Sequence, residues 1–344
     1  MKVIKFFAIT AMAAAMITSC SNEDELSQSN YPSDNIIRVT AGVNNAKTRA
    51  DGQGVSAMDK DFSLTVVNKN TESTLPSKYT YIDKVFSKKS GDWACSETLL
   101  WQNSTTPVDI VAFAPAQEGN FNGVYANGNI QSIAYSVADD QSEKSDNNDL
   151  LYYYAKDFNP GTSLVNKKLS IQFNHAFCMI DIVVTLGTEF NKPKVLDDSP
   201  IVKVTLDGTK IAANVDVKNA ATGSTTTTAA SVVTANEEAT PTTITTTKGT
   251  FTKAANAEAN AKSCFSCIAI PQTVAANTFK VSLMTAGKRY EWTSDKEITL
   301  QSGYRYTLEL SMGNDVVLLK GGSDNGGITA TPWGNGTGGS LETD

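Results

Sequence analysis

Leu169-Ser-Ile-Gln-Phe-Asn-His-Ala-Phe-Cys-Met-Ile-Asp-Ile-Val-Val-Thr-Leu186 carries the fold of this chain in its spacing. From Ile171 to Met179 the odd positions hold Ile, Phe, His, Phe and Met, whereas Ile180, Ile182, Val184 and Leu186 fall on even positions. Side chains alternate between faces along a strand, so each half reads as a strand with one apolar face. The period slips by one near Met179, which predicts a bulge or a change of sheet there.

Outward from this stretch the same two-residue period recurs. In Tyr304-Arg-Tyr-Thr-Leu-Glu-Leu310, the residues Tyr304, Tyr306, Leu308 and Leu310 share one face, expected to be buried, and Arg305, Thr307 and Glu309 share a wet one. Residues 36–40, 62–67, 110–113 and 281–283 are further short strands between Gly, Asn and Asp clusters, and helical periods are scarce. The pattern predicts an all-β protein. With 344 residues the chain exceeds one small sandwich and suits two domains. The turn-rich stretch 187–200, with Asn191-Lys-Pro-Lys194 and Asp197-Asp-Ser-Pro200, is the expected boundary between domains over 35–190 and 195–344. Residues 220–250 are crowded with Thr and suit solvated strands or a loop more than a core.

Charged residues make up 19% of the chain and the net charge is −7, so no basic surface is expected to attract nucleic acid. Nothing after Cys20 is apolar for long enough to span a bilayer. Before it, Met1-Lys-Val-Ile-Lys5 is a short basic segment and Phe6 to Ile17 an apolar run, together the pattern of an export signal. The run ends in Ile17-Thr-Ser-Cys20, a branched apolar residue, two small residues and a thiol, as in a bacterial lipobox. Residues 1–19 are therefore expected to be removed, leaving an acylated Cys20 as the anchor to the outer membrane. Ser21-Asn-Glu-Asp-Glu25 opens an acidic tether over 20–34, read either as a surface-export signal or as a solvated linker.

Few residues could carry chemistry. His175 is the single histidine, so several histidine ligands to one metal are impossible, and its place between Phe173 and Phe177 predicts a core histidine hydrogen-bonded to backbone. Asp139-Asp140, Asp146 and Asp149 lack the spacing of a calcium loop and read as a solvated segment. Cys264-Phe-Ser-Cys267 has redox spacing, but on a strand two thiols three residues apart face opposite ways. Cys95 and Cys178 complete an even set that reads as four core thiols. Trp93, Trp101, Trp292 and Trp333 could stack on sugars or fill cores. No cofactor, metal or catalytic constellation is expected.

The order of features resembles a known family. The lipobox and acidic start, the strand Ile36 to Val43 followed by Lys47-Thr-Arg-Ala50, Phe173-x-His175-Ala176, Ile270-Pro-Gln272 and Gln301-x-Gly303-Tyr-x-Tyr306-x-Leu308 are together similar to fimbrillins. These are the lipoprotein pilins and associated subunits of Bacteroidales-type (type V) pili, and the resemblance covers nearly the whole chain. It implies two tandem transthyretin-like (Greek-key) β-sandwiches after a lipoprotein signal peptide, no enzymatic activity, and other pilus subunits as partners. It also implies a route to assembly. The polar, Gly-ended loop from Asn44 to Gly52 is accessible to an arginine-specific protease, and a cut between Arg49 and Ala50 would release the strand 35–43 with its lipid. The exposed groove would then take a strand from another subunit. The donor candidate lies in 315–333, with Ile328, Thr329, Ala330, Thr331, Pro332 and Trp333 as its principal residues. The alternative expectation is an unprocessed, lipid-anchored surface protein, a pilus anchor or tip subunit or an adhesin for host protein or glycan.

Overall fold

The computed structural model describes residues 30–44, 58–70, 75–116, 121–221, 231–319 and 328–333. The protein is nearly all β, as the two-residue periods require. The first part of the chain supplies β1 (Val39–Val43), β2 (Phe62–Asn68), β3 (Tyr81–Lys89), β4 (Asp92–Cys95), β5 (Val108–Ala114), the short pair β6 (Tyr125–Ala126) and β7 (Asn129–Ile130), β8 (Ile133–Ser136), β9 (Leu151–Phe158) and β10 (Leu169–His175). Seven of these form one sheet in the order β1-β10-β9-β5-β2-β3-β4, in which β1 runs parallel to β10 and every other neighbour is antiparallel.

The second part supplies β11 (Cys178–Leu186), β12 (Ile201–Thr209), β13 (Ala212–Val215), β14 (Val233–Ala235), β15 (Thr242–Thr245), β16 (Thr247–Thr252), β17 (Ala261–Ala269), β18 (Gln272–Val274), β19 (Lys280–Thr285), β20 (Arg289–Thr293), β21 (Ile298–Leu300), β22 (Tyr304–Met312), β23 (Val317–Leu319) and β24 (Ile328–Pro332). One sheet runs β16-β17-β11-β22, and a second runs β15-β12-β19-β20. Ile180, Ile182, Val184 and Phe265 of the first pack with Val204, Leu206, Val281 and Leu283 of the second in one buried core.

The slip in period is a change of sheet. β10 ends at His175 in the first sheet, and after Ala176 and Phe177 the chain enters β11, which pairs with β17 and β22. A residue that passes from one sheet to another loses its inside-outside register, and this reverses the parity of the apolar positions. β11 thus lies in the second sheet system and precedes the turn-rich stretch 187–200.

A third core lies between the two sheet systems. Val111 and Phe113 of β5 enter it, whereas Ile110, Ala112 and Ala114 point into the N-terminal core with Phe62, Leu64 and Phe173. Burial on both faces explains why 110–113 is continuously apolar. Phe177, Met179, Ile268 and Ile270 approach the third core from the other side. β8 pairs with β13, so a strand from the first half of the chain completes a small sheet with strands of the second. Asp139 and Asp140 are exposed, yet their backbone is paired: the Thr245 N–H donates to the Asp139 carbonyl (2.7 Å) and the Gln141 N–H to the Thr245 carbonyl (2.9 Å). The Gln141 side chain is fully buried and bonds both the N–H and the carbonyl of Ile268, at 2.8 and 2.9 Å. It satisfies the edge of β17 as a strand would. The acidic segment expected to be a solvated loop is therefore a seam, because unpaired sheet edges there would be buried.

The Thr-rich stretch also departs from expectation. Val233, Ile244, Thr246 and Thr247 are buried, and Thr246 Oγ1 donates to the Val204 carbonyl at 3.1 Å. The apolar minority points inward and the buried hydroxyls find carbonyl partners, so Thr content alone does not make the segment solvent-facing. Residues 222–230 lie outside the described residues.

Candidate functional site

The first and last described segments of the chain meet the two sheet systems at their edges. Regular pairing of the first strand covers Val39 to Val43, with Val39 opposite Leu169 and Val43 opposite Phe173. The residues before it pair elsewhere. The Ile37 N–H donates to the Leu99 carbonyl (2.9 Å), and the Trp101 N–H donates to the Asn35 carbonyl (2.8 Å). One short segment thus ties β10, next to one edge of the sheet, to the residues that follow β4 at the other. Ile37, Val39 and Val43 are buried in the N-terminal core with Ala41 packed against it, a period of two that places every second side chain inside. Outside, Arg38 forms an exposed ion pair with Asp34 and holds that carboxyl well below the usual carboxylate range. Gly42 lies against Gln172, whose Oε1 would be 2.9 Å from an added Cβ.

The expected lipidation residue Cys20 and the expected cleavage residues Arg49 and Ala50 lie outside the described residues. The described part of the first segment ends at Asn44, whose N–H donates to the Phe173 carbonyl at 2.7 Å.

The C-terminal segment lies along the free edge of β22. Val317 and Leu319 face Met312 and Leu310, and Ile328, Ala330 and Pro332 face Leu308, Tyr306 and Tyr304. β23 and β24 therefore follow one another along the same edge. Ile328 reaches the C-terminal core, whereas Thr329, Ala330 and Pro332 are exposed and Thr331 is half-buried. Within this chain the candidate donor strand is paired to β22.

Trp333 turns the other way and enters the third core. Its N–H donates to the Gly303 carbonyl (2.6 Å), and the Gly303 N–H donates to the Phe177 carbonyl (2.9 Å). Gly303 has φ +71°, a conformation that costs glycine nothing. The indole stacks on the imidazole of His175. His175 Nδ1 lies 2.9 Å from Asp149 Oδ1, and the Asp149 side chain is wholly buried. The lone histidine is a core residue as expected, but its partner is a carboxylate and not backbone. Asp149, expected in a solvated segment, is inside, with His175 as one hydrogen-bonding partner for its buried carboxyl. Beside them, burial and the Asp149 charge push the Tyr135 phenol up to about 12, and its hydroxyl donates to the Asn147 carbonyl at 2.6 Å. Sequence spacing gave no hint of Asp149 or of Trp333 as neighbours of His175.

The other candidate groups are scattered. Cys264 is half-buried and Cys267 buried, on opposite faces of β17, and Cys178 shares the core with Cys267. Burial pushes both the Cys178 and Cys267 thiols well above the ordinary thiol range. Trp101 and Trp333 are buried, and Trp93 and Trp292 pack half-buried against the two large cores. Among the described residues no group of three or more His, Cys, Asp or Glu stands close enough to hold a metal ion, and no helix is long and apolar enough to cross a membrane.

A family model described as fimbrillin-like matches residues 48–333. No curated protein matches the chain. Among solved structures, the chain is similar to a candidate cell adhesion protein from Bacteroides ovatus, with TM-score 0.54 and 17% identity over 86% of this chain and 95% of that one. It is likewise similar to a fimbrial protein from Bacteroides vulgatus, with TM-score 0.52 and 12% identity over 87% of this chain and 99% of that one. At these identities the likeness is one of fold.

Proposed function

The chain belongs to the fimbrillin-like family, and from that premise we propose that it is a structural subunit of a cell-surface pilus, exported as a lipoprotein, cut after Arg49 and polymerised by strand donation. Family membership supports a structural role in adhesion or pilus assembly over an enzymatic one.

The observation that carries the reading is the position of β1. It is an edge strand that, with Ile37 just before it, fills a core through Val39 and Val43, and it precedes Arg49. Each such buried side chain is worth about 1.5–3 kcal/mol. Loss of the segment would uncover those sockets and leave the β10 edge without its parallel partner, a surface that another strand relieves. The C-terminal segment has a fitting pattern. Val317, Leu319, Ile328, Ala330 and Pro332 share one face of its edge, and Val317 and Ile328 among them are buried, as Ile37, Val39 and Val43 are in the first. Two tandem sandwiches, 35–190 and 195–344, remain our division of the chain, with β11 of the first range lent to the sheet of the second and the 133–141 segment joining them.

A second reading is an unprocessed, lipid-anchored anchor, tip subunit or adhesin. It draws on the pairing of β24 with its own chain. Intact mass and N-terminal sequence of the protein from the cell surface separate the two. A start at Ala50 without lipid supports the processed pilin. A start at acylated Cys20 sinks it and favours the anchor or tip.

A further inference from the structure

We propose that Trp333, seated on the His175–Asp149 pair, is the latch that holds the C-terminal strand on its own chain. The inference rests on the strand-donation reading for its purpose, since a strand to be donated has first to be kept and then released.

β24 is weakly held by its own pairing. It is a five-residue edge strand, its middle residues are exposed, and Pro332 has no N–H to give. Ile328 alone fixes its start in the C-terminal core. Its end is fixed by Trp333, a large side chain only 6% exposed. Indole and imidazole lie face to face with ring centroids 3.8 Å apart and planes 6° from parallel.

The platform beneath the indole does not depend on β24. His175 is the last residue of β10, and Asp149 is fixed by its own N–H, which donates to the Asp146 carbonyl at 3.0 Å. Asn148 beside it caps the Ala138 N–H at 2.8 Å. Phe177, Met179, Ile268 and Ile270 of the same core come from β11, the residues before it, the end of β17 and the residue after it. A small change at Trp333 therefore frees β24 while leaving the platform and both large cores in place.

Hydrogen–deuterium exchange on the unprocessed full chain tests this. Trp333→Ala is expected to speed exchange of the 328–333 amides about tenfold or more, with β11 and β17 unchanged, and Trp333→Phe to restore most of the protection. Unchanged exchange over 328–333 in Trp333→Ala overturns the latch. So does a uniform rise across the chain in both variants, which would make Trp333 an ordinary core residue. A selective rise, in a protein whose processed form never polymerises, upholds the latch and counts against strand donation.

Discussion

The indole of Trp333 lies flat on the imidazole of His175, and this stack joins the end of the described C-terminal segment to the point where the chain leaves its first sheet. The contact gives a buried carboxylate, Asp149, an indirect connection to a strand at the far end of the sequence.

His175→Ala is expected to lower stability by about 2–4 kcal/mol. An aromatic pair contributes about 0.5–1.5 kcal/mol beyond its area, and a buried acceptor deprived of one of its partners costs about 1–3 kcal/mol. Asp149→Asn, which keeps a hydrogen-bonding group beside the ring, should cost less. Urea unfolding of the two variants checks the order, and equal losses would contradict it.

Val39→Ala removes two methyl groups from the N-terminal core and is expected to destabilise the uncut protein by about 1–3 kcal/mol. If β1 is removed on processing, the same substitution leaves the processed protein unchanged. Thermal unfolding before and after cleavage reads the difference.

Deletion of residues 315–344 is expected to leave a folded protein that forms no polymer. Val317, Ile328 and Trp333 are buried, so the unfolding free energy should drop by roughly 5 kcal/mol or more. Electron microscopy and urea unfolding give the two readouts, and polymer of normal length would remove the segment from the donor role.

Cys178 and Cys267 should resist alkylation in the native protein at mildly alkaline pH, because burial keeps both thiols protonated. In the unfolded chain they ionise around the ordinary value of 9.0. Folded-state values above that make their contribution to stability complete below pH 9 and progressively lost as pH rises beyond it. Mass spectrometry after pulse alkylation should find Cys178 and Cys267 unmodified until the protein unfolds.

The all-β class and the alternation in 169–186 and 304–310 were legible in the sequence, since they follow from side-chain period and composition, which are local. The change of sheet after His175 was legible too, as a slip of one position. The segment 139–149 was misread because acidic composition describes side chains, whereas its backbone pairing and the burial of Asp149 depend on distant partners.

By itself the sequence determined which residues of each strand share a face, because alternation is fixed by the backbone of the strand alone. Tertiary structure decided which edges those strands complete. It laid β1 against β10, β24 against β22, Gln141 across Ile268 and Trp333 over His175. Such pairings join residues far apart in the chain, and a buried edge or polar group is satisfied by whichever groups lie nearby, a choice made by proximity in space that no local period encodes.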